Sequence, residues 1–396
     1  MKHDRETIWV VLLLALLISG CASSPSGPPN LVFVESFEGG TLYSTTGEGG
    51  SGTFDVLVLN GGWRQMGRQY GYLLKDRMSE LHDKAVALWV GEGKTYGELQ
   101  TFADQTFLIL PDYTRLLIEG MAETSGMTLE KQKVTCMVMG KILMTILGGC
   151  SSMDAWGAYT GGEPLVVGRN WDLVWPPADY SKFLTVVVYR PPGMNAVVDI
   201  NYAAMLHPQN LMNDKGLFLD YQNGTQSDPR KNPNARTDLF SYMLAANSIE
   251  DLDGVFRRIF PSEAAIINTA DAQAGHVFEW TIDAVRHRYG TNGLIASTNH
   301  FIDPSWTGLQ PIKPGDQGAF TLERFANLLA LGEQHKGTIS PGVMMQIFDK
   351  TIEEGGPTFS EATRYQIVAV PADLTLWLKA RGYSGWEKIG LGPLLE

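Results

Sequence analysis

The sequence predicts an α+β protein of packed antiparallel or mixed sheets covered by helix layers, and three observations predict it. Before residue 150 apolar residues recur at helical spacing. After it, short β-branched or apolar runs bounded by Gly, Pro and Asn come in clusters, with helices between the clusters. The regular strand–helix alternation of a doubly wound sheet is missing. The composition can support such a core: of 396 residues 44% are hydrophobic and 19% charged, which excludes a wholly disordered or fibrous chain.

Taken in order, the first thirty residues read as an address. Lys2 and Arg5 precede an apolar run from Ile8 to Ile18, shorter than the roughly 20 residues of a membrane span. The run ends at Ser19-Gly20-Cys21 and passes into Ser24-Pro25-Ser26-Gly27-Pro28-Pro29. This resembles a lipoprotein export signal, in which Cys21 becomes the lipidated first residue and a flexible tether follows. An ordinary secretory signal with an incidental Cys is the plainer alternative. The expected location is a membrane surface facing the periplasm, with the outer membrane favoured because Ala22 follows Cys21. Export implies an oxidising compartment.

Gly39 to Gly52, rich in Gly, Thr and Ser, reads as a surface loop. Leu74, Met78, Leu81, Ala85 and Leu88 form one face of an amphipathic helix, and helices follow over Phe102 to Met121 and Leu129 to Leu147. Strands are predicted at Pro164 to Gly168, Phe183 to Tyr189, Ala196 to Ile200 and Leu217 to Tyr221. Then come helices over Leu239 to Ala246 and after Ser248-Ile249-Glu250-Asp251, a capping arrangement. Strands return at Ala264 to Asn268, Gly275 to Trp280 and Leu294 to Ser297. Helices at Ala319 to Leu331 and Val343 to Thr351 and a strand pair at Tyr365 to Val370 and Leu374 to Leu378 close the chain.

Chemistry concentrates at the junction. Gly148-Gly149 gives a backbone free to bend, and Cys150 follows with Ser151 and Ser152. Downstream, Gly168-Arg169-Asn170-Trp171-Asp172 sets a cation and a carboxylate three residues apart at a strand end. Taken alone each piece is weak, since a lone Cys is usually a small buried hydrophobe. With Cys21 acylated, Cys136 and Cys150 are the remaining thiols of the 3 Cys, and a disulfide between them is the bland reading. The His residues have no metal-ligand spacing, and there is no phosphate-binding glycine motif, so neither metal nor cofactor is expected. A net charge of −12 argues against a grip on nucleic acid.

In combination, Gly149-Cys150-Ser151-Ser152 followed by Gly168-Arg169-Asn170-Trp171-Asp172 resembles the cysteine N-terminal-nucleophile (Ntn) hydrolases. The relevant branch contains choloylglycine (bile salt) hydrolase, penicillin V acylase and acyl-CoA:6-aminopenicillanate acyltransferase. The likeness continues in order through Met212-Asn213-Asp214-Lys215-Gly216-Leu217 closing at Gln222-Asn223, through Leu294-Ile295-Ala296-Ser297-Thr298-Asn299, and through Phe320-Thr321-Leu322-Glu323-Arg324-Phe325. Gly62-Trp63-Arg64-Gln65-Met66-Gly67-Arg68-Gln69-Tyr70-Gly71 is similar to the leading segment of the acyltransferase-type branch, made as one precursor that cuts itself before the Cys. Ser151 departs mildly, standing where Thr is frequent.

The resemblance implies a four-layer αββα fold preceded by a helical propeptide: a signal over 1–20, lipidated Cys and tether over 21–53, helical segment over 54–149, catalytic domain over 150–396. It implies a self-processing cysteine amidase that hydrolyses N-acyl amides through an acyl-thioester. Cys150 Sγ would attack the Gly149 carbonyl, and the freed α-amine, with a reference pKa of about 7.7–8.0, would then serve as the base. By the same resemblance Arg169 favours the thiolate, Asp172 accepts a hydrogen bond from the α-amine, and Asn223 donates to the oxyanion. Asn299 orients the amine or completes the polar cage, and Arg324 holds that cage, through Asp172. Trp156, Trp171, Trp175 and Tyr221 are candidate walls of an acyl pocket, or simply packing. The alternatives are an acyltransferase with an amine acceptor and a non-catalytic acyl-ligand-binding lipoprotein. Expected partners are a small N-acyl amide and a membrane, through the lipid; a homo-oligomer is left open.

Overall fold

The computed structural model describes residues 28–48, 50, 52–145, 149–173, 178–224, 235–259, 264–281, 284–290, 292–306 and 320–396. The export signal and Cys21 lie outside them. The chain runs through β1 (Leu31–Phe37), β2 (Gly40–Thr45) and β3 (Asp55–Asn60) into α1 (Trp63–Leu73), α2 (Lys75–Gly91), α3 (Tyr96–Ile109), α4 (Asp112–Thr124) and α5 (Leu129–Thr145). It continues with β4 (Gly149–Ala155), β5 (Val166–Asp172), β6 (Leu184–Arg190), β7 (Val197–Tyr202), β8 (Asn210–Asn213) and β9 (Phe218–Asn223). After α6 (Ala235–Met243) and α7 (Ile249–Phe256) come β10 (Ala265–Ala270), β11 (Gly275–Trp280), β12 (Val285–Tyr289) and β13 (Leu294–Ser297). Helices α8 (Thr321–Gln334) and α9 (Pro341–Asp349) lead to β14 (Thr363–Val370), β15 (Thr375–Ala380), β16 (Glu387–Gly390) and α10 (Gly392–Leu395).

The strands form a ten-stranded sheet, β1-β2-β3-β6-β7-β8-β9-β10-β11-β12, and a six-stranded sheet, β13-β4-β5-β14-β15-β16. The sheets touch through β4 against β9 and β11 against β13. The far face of the six-stranded sheet packs on α8 and α9, where Met153, Ala155, Val166 and Val368 meet Leu328, Met344 and Phe348. The larger sheet carries α1 and α6 on its own far face. Helix, sheet, sheet, helix is therefore the layer order, the four-layer α+β arrangement expected from the sequence.

Sequence signals explain much of this. Ser248 caps α7, its side chain accepting from the Asp251 backbone N–H. Thr95 and Glu98 form a reciprocal capping box on α3. The Gly62 to Gly71 motif acts as packing: a Cβ at Gly67 would come 2.3 Å from the Leu117 carbonyl, and one at Gly120 2.2 Å from the Arg64 carbonyl, so α1 and α4 pack backbone to backbone.

Three expectations are corrected. The tether over 21–53 and the loop over Gly39 to Gly52 contain β1 and β2, joined through Glu38 and Gly39, both at positive φ as a tight hairpin turn demands. Buried Gln69 on α1 fastens this hairpin, donating to the Glu38 carbonyl at 2.8 Å and accepting from Asn60 N–H at 2.8 Å. The segment over 54–149 is not purely helical, because β3 runs parallel to β6 inside the larger sheet. The bend expected at Gly149 is strand instead, with Gly149 opposite Asp172, while Gly148 lies outside the described residues.

Candidate active site

Antiparallel pairing of β4 with β5 sets Cys150 opposite Trp171, Ser152 opposite Arg169 and Gly149 opposite Asp172. Opposed residues share a face and neighbours alternate. Cys150, Ser152, Trp171 and Arg169 therefore face the larger sheet, while Asp172 faces the α8 side. The site straddles this strand pair.

On the inner face the Arg169 guanidinium donates to Cys150 Sγ at 3.2 Å. It is fixed by the Tyr221 carbonyl at 2.8 Å, the Asn170 carbonyl at 2.7 Å and Asn210 Oδ1 at 3.1 Å. The Asp172 backbone N–H also bonds to Sγ. On the outer face Arg324, from the first turn of α8, donates to the Cys150 carbonyl at 2.6 Å, to Asp172 Oδ2 at 3.0 Å and to Asn299 Oδ1 at 2.8 Å. Thr363 donates to Asp172 Oδ1 at 2.5 Å.

Asn299, just past β13, joins the two faces. Its Oδ1 accepts the Cys150 backbone N–H at 2.7 Å, and its Nδ2 donates to the Asn223 carbonyl at 2.8 Å. Its own N–H is held by Thr321 Oγ1 at 2.8 Å. Two donors on Oδ1 and an acceptor on Nδ2 fix the orientation of this amide. In the uncut chain the nitrogen at Cys150 thus points at Asn299, while both Asp172 oxygens are engaged by Thr363 and Arg324.

All of these residues are buried except Asn223, which is half-buried. Burial pushes the Cys150 thiol above its ordinary value; Arg169 pulls it down and Asp172 pushes it further up. Cys136, on α5, is pushed up to about 12 by burial. The Cys136–Cys150 bridge is absent: both are free thiols, one among the helices and one on the inner face of β4. Trp171 stacks on Tyr365 with centroids 5.0 Å apart; Trp175 lies outside the described residues. Among the described residues no group of His, Cys, Asp or Glu could hold a metal ion, and no helix is long and apolar enough to cross a membrane.

Sequence reasoning brought Cys150, Arg169, Asp172, Asn223, Asn299 and Arg324 to one place. It missed a polar row beneath them. Asn210, Asp220 and Asn268 are register neighbours across β8, β9 and β10. Ser152 donates to Asp220 Oδ2 at 2.7 Å, and Gln222 donates to Ser152 Oγ at 2.9 Å and Ser297 Oγ at 2.7 Å. The available signal was period-two polarity, Ser152 with Asp154 and Asp220 with Gln222, inside strands buried on both faces.

Residues 159–347 match the family model described as acyl-coenzyme A:6-aminopenicillanic acid acyl-transferase. Over that stretch the chain is similar to this family. No curated protein matches the chain in sequence. Among solved structures it is similar to a conjugated bile acid hydrolase variant from Clostridium perfringens, at 13% identity and TM-score 0.40, over 62% of this chain and 93% of that one. An N-acylethanolamine-hydrolyzing acid amidase ortholog from Caenorhabditis elegans gives 14% and 0.44, over 61% and 100%. Penicillin V acylase from Agrobacterium tumefaciens gives 11% and 0.40, over 61% and 86%. What the chain is similar to thus includes an acyltransferase family and solved structures of amide-cleaving enzymes.

Proposed function

We propose that the protein is a self-processing cysteine amidase that hydrolyses N-acyl amides. One observation carries the reading: Cys150 presents its Sγ to Arg169 and its own backbone nitrogen to Asn299 Oδ1, within a single buried residue. In processing, Sγ adds to the Gly149 carbonyl carbon, the Gly149–Cys150 C–N bond breaks, and the thiol proton passes to the departing nitrogen. Water then hydrolyses the thioester, releasing a Gly149 carboxylate and restoring the thiol. The new α-amine is the base for turnover. It takes the thiol proton as Sγ attacks the substrate acyl carbon, and gives it to the leaving amine. Asn299 orients that amine, Arg324 and Asp172 hold Asn299 and the Cys150 carbonyl in place, and Asn223 is the oxyanion donor. Cys21 carries the lipid that tethers the enzyme to a membrane facing the periplasm.

A panel of N-acyl amides tests this, with amine release followed alongside the mass of the Cys150 peptide. The expected result is amine release with an acyl adduct on Cys150, both lost in Cys150→Ala. Neither release nor adduct, together with no labelling by a β-lactone probe, would leave an acyl-binding lipoprotein instead. The family model favours one second reading, acyl transfer. An added amine that diverts the acyl group in preference to water would establish it.

A further inference from the structure

We propose that Asp220 is the counter-charge of Arg169 and so sets how strongly Arg169 stabilises the Cys150 thiolate, as a positioning residue one step behind the nucleophile. The inference rests on the reading of Cys150 as nucleophile, and it begins from what holds Arg169. The acceptors that fix this guanidinium, the Tyr221 and Asn170 carbonyls and Asn210 Oδ1, are all neutral. They determine where the cation sits without balancing its charge, and Arg169 is 0% exposed. A buried cation needs an anion nearby. Asp220 Oδ1 lies 3.4 Å from Arg169 Nε, while Sγ meets Nη2 of the same guanidinium, and Asp220 is equally buried.

Burial pushes the Asp220 carboxyl up, Arg169 and three hydrogen-bond donors pull it back, and these donors point to Asp220 as that anion. Ser152 Oγ accepts from Gln222 Nε2 at 2.9 Å, so its own proton goes to Asp220 Oδ2 at 2.7 Å. Gln222 Nε2 also donates to Asp220 Oδ1 at 3.1 Å, and Asn268 Nδ2 donates to Oδ2 at 3.3 Å. Each of these neighbours gives a proton to the carboxyl, and Arg169 adds a positive charge beside it, the donor set that a carboxylate takes. The register of β8, β9 and β10 holds the row in place, with Asn210 and Asn268 directly opposite Asp220.

An anion against Nε draws on the positive field that Arg169 offers at Nη2. The other charged or titratable groups around Sγ are Asp172 on β5, which acts in the same direction as Asp220, Arg324 on α8, which acts with Arg169, and Tyr365 on β14. Burial holds the thiol above its ordinary value although a guanidinium touches it. The consequence is a nucleophile kept mainly as a thiol, so that its proton is present to be passed to the nitrogen of the same residue.

The test is the pH dependence of Cys150 alkylation by iodoacetamide, read by peptide mass on the same form of the protein, cut or uncut, in every variant. Asp220→Asn keeps the shape and the oxygen acceptor and removes the charge. Its alkylation midpoint is expected about one pH unit lower, with roughly tenfold faster labelling at a fixed pH below the midpoint. Asp220→Glu, which restores the charge, should return the midpoint towards wild type. A folded Asp220→Asn variant with an unchanged or raised midpoint would overturn the proposal. Ser152→Ala covers a failure of Asp220→Asn to fold: it leaves the carboxylate charged with one donor fewer and should raise the midpoint, and no movement there also overturns it. Labelling needs no turnover, so a protein that hydrolyses no amide yet shows the Asp220 shift would refute the proposed function and leave this inference standing.

Discussion

Buried carboxyl groups lead two different lives in this protein. Asp172 and Asp220 each rest against a guanidinium, 3.0 Å from Arg324 and 3.4 Å from Arg169. Asp154 and Asp199 are as deeply buried, and each leaves one oxygen without a hydrogen-bond partner. Asp154 shares Asn268 as its donor, and Asp199 has Asn201. Asp199 lies on the far face of the larger sheet, in a small pocket walled by Tyr113, Tyr189, Leu206 and Phe240. Burial pushes all four carboxyls up, but Arg324 and Arg169 pull Asp172 and Asp220 back. Asp154 and Asp199 instead go well above the ordinary range, which favours their neutral form. The comparison teaches that burial alone does not make a charged site. Paired buried charge lies around the thiol and at Glu279 with Arg288, while Asp154 and Asp199, which rest against amides, give up theirs.

The harshest way to break the comparison is to strip a paired carboxylate of its cation. Arg324→Met leaves Asp172 as an uncompensated buried anion and should cost about 3–5 kcal/mol of stability, measured by urea unfolding. Amide turnover should vanish with it. A loss below about 1 kcal/mol, within the range of an exposed pair, would show that Asp172 is not a charged partner.

Next in size is the oxyanion contact. Asn223→Ala should lower kcat by about a hundred- to a thousandfold, or roughly 2.7–4 kcal/mol of barrier, with the unfolding midpoint little changed. An unchanged kcat would remove Asn223 from the site.

The neutral carboxyls give a smaller, pH-dependent effect of known sign. The Asp199 pKa is raised in the folded state, so as pH climbs past about 4 the unfolded chain releases this proton while the folded chain keeps it. Stability conferred by the neutral form is complete at low pH and falls as pH rises, by at most about 1.4 kcal/mol per pH unit. Asp199→Asn removes that slope, so its stability relative to wild type should improve between about pH 5 and about pH 7. A difference that stays flat or reverses over that interval would mean that Asp199 is ionised in the fold.

The smallest expected effect is on assembly. If the chain is cut before Cys150, β3 remains an internal strand between β2 and β6, and Lys84 and Lys182 still reach Asp179 and Glu80 across the two pieces. The fragments should therefore elute together on gel filtration and separate only in denaturant. Separate elution would contradict the shared sheet.

What the sequence revealed follows the same division. Elements with strong apolar periodicity were legible: the α2 face, the capped start of α7, α8, and central strands such as β6 and β14. β4 was not, because Gly149-Cys150-Ser151-Ser152-Met153-Asp154-Ala155 lacks β-branched residues and carries polar ones. Those side chains are buried only because partners far along the chain satisfy them, as Asp220 does for Ser152. β1 and β2 were hidden by loop-like Gly, Thr and Ser, and their anchor, Gln69, lies on a helix. The six candidate site residues came from the order of short motifs. Asp220 and its amide neighbours escaped because only strand register brings them under Arg169.

The central claim is that the thiol and the backbone nitrogen of Cys150 form one reactive unit, and the most direct measurement is the intact mass of the purified protein with N-terminal sequencing of its fragments. The account predicts a fragment beginning at Cys150 in wild type and a single uncut chain in Cys150→Ala. An uncut wild-type chain, or a Cys150→Ala protein cut at the same bond, would contradict it.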